Sequence, residues 1–320
     1  MKPRLLELEI LGQQAYLPSY FTMVAVGFVL ATIMIRRWAR FHGIDHRLMV
    51  DFVIWMALWG VVGARILHVL ADGHFWDYVN VCIDPSKVEW RVDERECAAL
   101  GGVWNATAGL CNPVKSNCLA WADLFHGGFA YYGGLIAAGL FSIWFIRRHR
   151  LPAGKILDMS GWALTLGVAW GRIGCFLASC CFGARSQAAW AVVFPPGSAA
   201  SRHHWDEGLL QTYRRESLYV HPTQLYEAAG ALLLAAFLYF VLRPRKRFDG
   251  QVFAVAMAGY AALRFTLEFL REDERGQFGP LSTSQWIAVA IAVFSVLLWR
   301  RMSTRARRAM TTAALGKTEG

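Results

Sequence analysis

Charge is what this sequence has least of. Only 18% of its 320 residues are charged, against about 25% in an ordinary soluble domain. The shortage is greatest for acids, with 23 Asp and Glu facing 33 Lys and Arg. There is no room for disorder or a collagen-like rod in a chain that is 56% hydrophobic. No CxxC pair occurs, which weakens a zinc ribbon or a thiol-redox centre. No basic segment precedes a short apolar stretch and a small-residue cleavage site, so no removable signal peptide is expected. A net charge of +10 would suit a nucleic-acid binder, but 14 Trp, 20 Phe and long uncharged runs would not. The chain reads as an integral membrane protein without a nucleic-acid partner.

A helical span needs roughly 20 apolar residues. Seven segments approach that length: 20–35, 52–70, 128–146, 156–181, 223–242, 251–270 and 285–299. They lack the polar–apolar alternation of barrel strands, so the expected class is an all-α, polytopic protein with seven spans. Connections 36–51, 147–155, 243–250 and 300–320 hold 18 of the 33 basic residues, and the alternate, much longer set holds 12. By the positive-inside rule the N-terminus is expected outside and the C-terminus in the cytoplasm. Residues 1–300 form the membrane domain with an extracytoplasmic insertion at 74–122, and 301–320 form a basic tail expected to lack fixed structure.

The insertion carries Cys82, Cys97, Cys111 and Cys118, which fits two disulfides with three possible pairings. It also holds an Asn105-Ala106-Thr107 sequon, which matters only in a host that glycosylates.

An ionisable side chain within a span costs at least about 2.5 kcal/mol and calls for a partner or a function. Arg65, His68, Arg172, Glu227, Arg264 and Glu268 all fall in the outer half of the expected spans. Asp51 and Asp158 are the cytoplasmic exceptions, close enough to span ends to be solvated. Tyr260, Arg264, Glu268 and Arg271 recur at helical spacing on one face. Three arginines against two glutamates leave a positive charge over, which fits an anionic ligand; a structural ion-pair network is the alternative. Arg172, Cys175 and Ser179 share a stripe, with Gly171 and Gly174 permitting close approach. The run from His126 to Gly134, with paired glycines, suits an irregular backbone lining a cavity. His221 stands at helical spacing from Gln224 and Glu227, and Pro222 marks a helix start.

Together these motifs resemble the prolipoprotein diacylglyceryl transferases, a family of bacterial membrane enzymes, over roughly 17–300 apart from the insertion. The resemblance rests on Tyr20 ahead of Val26-Gly27-Phe28, Gly63-Ala64-Arg65, Tyr132-Gly133-Gly134-Leu135, Gly171-Arg172-Ile173-Gly174, Gly183, His221 to Glu227, and Gly259-Tyr260 through Arg264, Glu268 and Arg271-Glu272. It implies transfer of a diacylglyceryl group from phosphatidylglycerol to the lipobox cysteine of a preprolipoprotein. The setting would be the bacterial inner membrane, among membrane lipids, with the site toward the outer face. It implies Arg172, Arg264, Glu268, Tyr132 and His221 as the catalytic set. Tyr20, Arg65, Gly133, Gly134, Gly183, Glu227 and Tyr260 would contact substrate, and no cofactor or metal is implied.

The chain departs from the family pattern at three places. Tyr132 stands where a His precedes Gly-Gly-Leu, Cys175 replaces the Asn of Gly-Arg-Ile-Gly-Asn, and Cys180 replaces an acidic residue. A thiolate nucleophile needs a proton acceptor. Tyr132 backed by His221 is the first choice, with Glu227 and Glu268 as alternatives, while arginine cannot serve. On a regular helix Cys175 and Cys180 would not meet and read as small packing residues. Three other functions fit less of the pattern: an anionic-lipid binder or transporter, an inactive paralogue, and a thiol device centred on Cys180-Cys181.

Overall fold

The computed structural model describes residues 4–10, 13–71, 75–90, 97–98, 101–105, 110–122, 130–271 and 277–315, with side chains outside 4–17, 277–278, 309–310 and 312–315. His126 to Phe129, Ala106-Thr107 of the sequon and Glu272 fall outside the described residues. The described residues include nine α-helices of eight residues or more: α1 Ser19–Phe41, α2 His46–Ala71, α3 Phe75–Ile83, α4 Tyr131–Arg148, α5 Ala153–Leu177, α6 Ala199–Asp206, α7 Thr223–Ala236, α8 Gln251–Leu267 and α9 Thr283–Leu315. Three two-stranded antiparallel hairpins accompany them: β1 Arg4–Ile10 with β2 Gln13–Pro18, β3 Gly102–Asn105 with β4 Leu110–Pro113, and β5 Gln277–Phe278 with β6 Leu281–Ser282. The all-α expectation missed these hairpins: β3 to β6 are too short to show a strand period, and the alternation Leu6-Glu7-Leu8-Glu9-Ile10 in β1 was passed over.

Five helical stretches are long and apolar enough to cross a membrane: Ser19–Phe41, His46–Ala71, Thr223–Arg245, Gln251–Leu270 and Thr283–Arg308. The third and fourth expected segments are helices too, α4 and α5, made less apolar by Arg147 and Arg148 in α4, by Lys155, Asp158 and Arg172 in α5, and by their glycines. The chain comprises two compact units, 47–151 and the remainder.

In the larger unit α5 is central, packing against α1, α7 and α8, while α9 packs on α8. From Phe237 to Leu242 α7 widens into a π-helical turn before a last helical turn at Arg243–Arg245. Where an unstructured tail is expected, α9 runs on to Leu315; the segment is rich in Ala and Arg, good helix formers.

Asp158 corrects the expectation of a solvated group, since it is completely buried. Its Oδ1 accepts the backbone N–H groups of Val252 and Phe253 at 2.8 and 3.2 Å, capping α8 from a neighbouring helix. Its Oδ2 receives Lys246 Nζ at 3.0 Å, and Lys246 also reaches Asp249 at 2.8 Å. Burial opposes the charge on Lys246, but the carboxylates of Asp249 and Asp158 outweigh it and raise the lysine pKa. Asp158→Ala removes the cap and one partner of a buried pair, so a loss of about 3 kcal/mol is expected in thermal or denaturant unfolding.

In the smaller unit α2 and α4 cross at glycines. A Cβ on Gly63 would lie 2.6 Å from the Gly133 carbonyl oxygen, and one on Gly134 would lie 2.9 Å from that of Gly60. Gly133 and Gly134 thus sit in a regular helix as contact points, not in the irregular backbone expected for them. The insertion is closed by Cys82–Cys118 and Cys97–Cys111, two disulfides that select one of the three pairings. It also packs on α2 through Arg65. That side chain, 6% exposed, donates from Nε to the Trp121 carbonyl at 2.7 Å and from Nη2 to the Ala120 carbonyl at 2.9 Å. Its guanidinium carbon lies 5.2 Å from the Tyr78 ring centre. Arg65 therefore holds the insertion in place.

Candidate active site

Within the larger unit three helices bring the expected charges together. Glu227, one turn into α7, has a side chain only 1% exposed. Arg172 on α5 places Nε 3.0 Å from Glu227 Oε2, and Tyr260 on α8 donates its hydroxyl to Oε1 at 2.9 Å. One carboxylate thus joins α5, α7 and α8. Fully buried carboxylates are costly unless paired and hydrogen-bonded, and Glu227 is both.

One turn further along α8, Arg264 Nη2 lies 2.8 Å from Glu268 Oε2. The other Glu268 oxygen accepts Ser282 Oγ at 2.7 Å, and Arg264 Nη2 lies 3.4 Å from Ser284 Oγ. This second pair is anchored by the start of α9. Sequence spacing anticipated the Arg264–Glu268 contact, but not Ser282 or Ser284, which approach only through tertiary packing. The α8 stripe ends at Glu268. Glu268 opens a 3₁₀ turn that runs to Leu270, and Arg271 adopts an extended backbone, so it leaves the face expected for it.

The Nη1 of Arg264 has no hydrogen-bond partner among the described residues, although the atom is buried and the residue 9% exposed. Arg172, with a side chain 18% exposed, makes no hydrogen bond from its terminal nitrogens among the described residues, leaving them available as well. Two guanidinium groups therefore keep donors in reserve after each has met a glutamate. Planar guanidinium donors match the oxygens of a phosphate.

Gly183 organises the approach to this pair. A Cβ there would lie 2.6 Å from the Leu270 carbonyl oxygen and 2.8 Å from that of His221. Its N–H donates to the His221 carbonyl at 3.0 Å, and Ala184 N–H donates to Leu270 O at 2.8 Å. Three strands of chain meet where only hydrogen fits. Gly183→Ala should therefore cost about 1–3 kcal/mol of stability by overpacking, measurable as a lower unfolding temperature.

His221 precedes α7, so it does not stack on Gln224 and Glu227 as helical spacing implied. Its Nδ1 lies 3.1 Å from Tyr226 Oη, which accepts Trp190 Nε1–H at 2.7 Å. Gln224 Nε2 instead donates to the Cys180 carbonyl at 2.6 Å. Tyr20 is 39% exposed, and its backbone packs where a Cβ on Gly174 would fall, 3.1 Å from the Tyr20 carbonyl oxygen. Tyr132 belongs to the smaller unit, half exposed in the first turn of α4, and rests edge-on against Tyr131.

These features define a polytopic helical membrane protein with a buried, glutamate-paired arginine site. The family model for prolipoprotein diacylglyceryl transferase matches residues 9–301, and the chain belongs to that family. Relatives named phosphatidylglycerol–prolipoprotein diacylglyceryl transferase include one from Finegoldia magna, 27% identical with 87% of this chain and 88% of the relative covered. A Clostridium perfringens protein, named as the second such transferase, is 26% identical over 94% of this chain and 96% of its own. The Sinorhizobium medicae relative is 30% identical, with 76% and 68% covered.

Proposed function

We propose that this protein moves the diacylglyceryl group of phosphatidylglycerol onto the lipobox cysteine of a preprolipoprotein. The sulfur attacks the glyceryl carbon that bears the phosphate. The carbon–sulfur bond forms as the carbon–oxygen bond to phosphate breaks, and glycerol phosphate leaves with the bonding pair. The observation that carries this reading is the buried, unpartnered Nη1 of Arg264, beside a glutamate that holds the rest of the group. A donor desolvated in advance costs no reorganisation when the phosphate gains charge.

Arg264 and Arg172 clamp the phosphate, and Glu268 and Glu227 orient them. His221 takes the thiol proton. In the tautomer that donates Nδ1–H to Tyr226, its Nε2 is the acceptor, and imidazole is the side chain most used for such work. This passes the proton-accepting role from Tyr132, the first choice from the sequence, to His221. Tyr20 and Tyr260 line the lipid path, seven helices cross the bacterial inner membrane, and the site opens outward.

Purified protein in detergent should move labelled diacylglycerol from phosphatidylglycerol to a lipobox peptide. It should also restore growth of a transferase-depleted strain. Well-folded protein that does neither would leave the anionic-lipid binder as the better reading. Its family membership and paired buried charges favour the enzyme.

A further inference from the structure

The end of α5 holds three thiols that the transfer reaction does not use. Cys175, Cys180 and Cys181 are free, and their sulfur atoms all lie within 4.8 Å of one another. The expectation of a regular helix here fails at Leu177. Ser179 N–H donates to Phe176 O and Cys180 N–H to Cys175 O, both at 3.1 Å, which closes the helix in a Schellman motif. Glycine normally takes the left-handed position in such a cap, yet Ser179 occupies it at φ 61°, and Cys181 repeats the conformation at φ 61°. Each left-handed residue that is not glycine costs on the order of 1 kcal/mol. The strain folds Cys180 and Cys181 back over Cys175.

The surrounding residues secure that turn. Gln224 Nε2 donates to the Cys180 carbonyl at 2.6 Å and Thr223 Oγ1 to the Cys181 carbonyl at 3.2 Å. Cys175 is buried, and the other two thiols are partly so. The Ser179 hydroxyl, buried in the same turn, has no partner among the described residues and is a ready donor to a thiolate. No fourth His, Cys, Asp or Glu joins the group among the described residues.

We propose that Cys175, Cys180 and Cys181 form a binding site for a soft, thiophilic metal cation, with Cu(I) ahead of Zn(II). Soft sulfur donors select these ions. Structural zinc sites are almost always four-coordinate, and the three-sulfur set falls one ligand short. Binding releases the protons of those thiols that were not already ionised, and no electron changes hands. The proposal rests on the thiol geometry alone and stands whether or not the protein is a transferase.

The test uses the full chain, reduced and anaerobic in detergent, with Cu(I) supplied on a competing colorimetric chelator. The protein should withdraw one equivalent from the chelator. Cys180→Ser and the triple variant Cys175→Ser/Cys180→Ser/Cys181→Ser should withdraw none. Independently of any variant, Cu(I) should protect three thiols of the unmodified protein from alkylation, counted by mass spectrometry. Withdrawal no greater than by the triple variant, or alkylation unchanged by Cu(I), overturns the site. Equal or better protection by Zn(II) overturns the assignment to Cu(I).

Discussion

Replacing Arg264 with alanine is expected to abolish transfer. The substitution deletes a buried guanidinium donor left open for a phosphate and strands Glu268, 8% exposed, without its cation. Losing a preorganised donor at a developing anion lowers turnover by about 10²–10³-fold. Breaking a buried pair from one side costs a further 3–5 kcal/mol, roughly, in stability. Arg264→Lys separates the two effects. Lysine keeps the charge beside Glu268, so unfolding should change much less. It offers a point charge instead of a planar fork, so it cannot hold Glu268 and a phosphate together. Transfer should therefore stay low in a protein that is nearly as stable as the parent. A lysine variant with full turnover would remove the clamp from the mechanism.

Glu227→Gln should have the second largest effect. The carboxylate faces an arginine on one oxygen and accepts a phenol on the other. A glutamine has only one acceptor oxygen; with that oxygen on Arg172 its NH₂ faces the Tyr260 hydroxyl, which must turn from donor to acceptor, and the guanidinium loses its counter-charge. The expected loss is about 3–5 kcal/mol in unfolding, as for any buried pair broken from one side, together with most of the transfer activity. The decisive measurement is the cycle with Arg172→Met. If the two groups form one unit, adding Arg172→Met to Glu227→Gln removes the uncompensated charge and costs far less than it does alone. Strictly additive penalties would mean the pair does not act as a unit.

Much of this architecture could be read without a structure, because it depends on short-range repetition. Hydropathy marked where each long helix lies, though not that α9 runs on to Leu315, and Pro222 marked the start of α7. The Arg264–Glu268 pair was legible because positions four apart face each other on any helix. Glu227 was visible as a buried charge, but its link to Tyr260 and Arg172 was not. Those partners lie 33 and 55 residues away, and hydropathy carries no information about which helices pack together. Asp158 was misread for the same reason, since its partners begin 88 residues later. The end of α5 was missed because a serine, not a glycine, takes the left-handed position that stops the helix.

By itself the sequence determined a helical, multi-span chain, the family to which it belongs, and a set of arginines and glutamates too costly to bury without purpose. Tertiary structure alone decided which glutamate meets which arginine, which guanidinium nitrogen is left without a partner, and that three cysteines meet at one helix end. The division has a physical cause. Helix formation and burial are set by neighbours within a turn or two, whereas the partner of a buried charge is set by whichever distant segment packing brings against it.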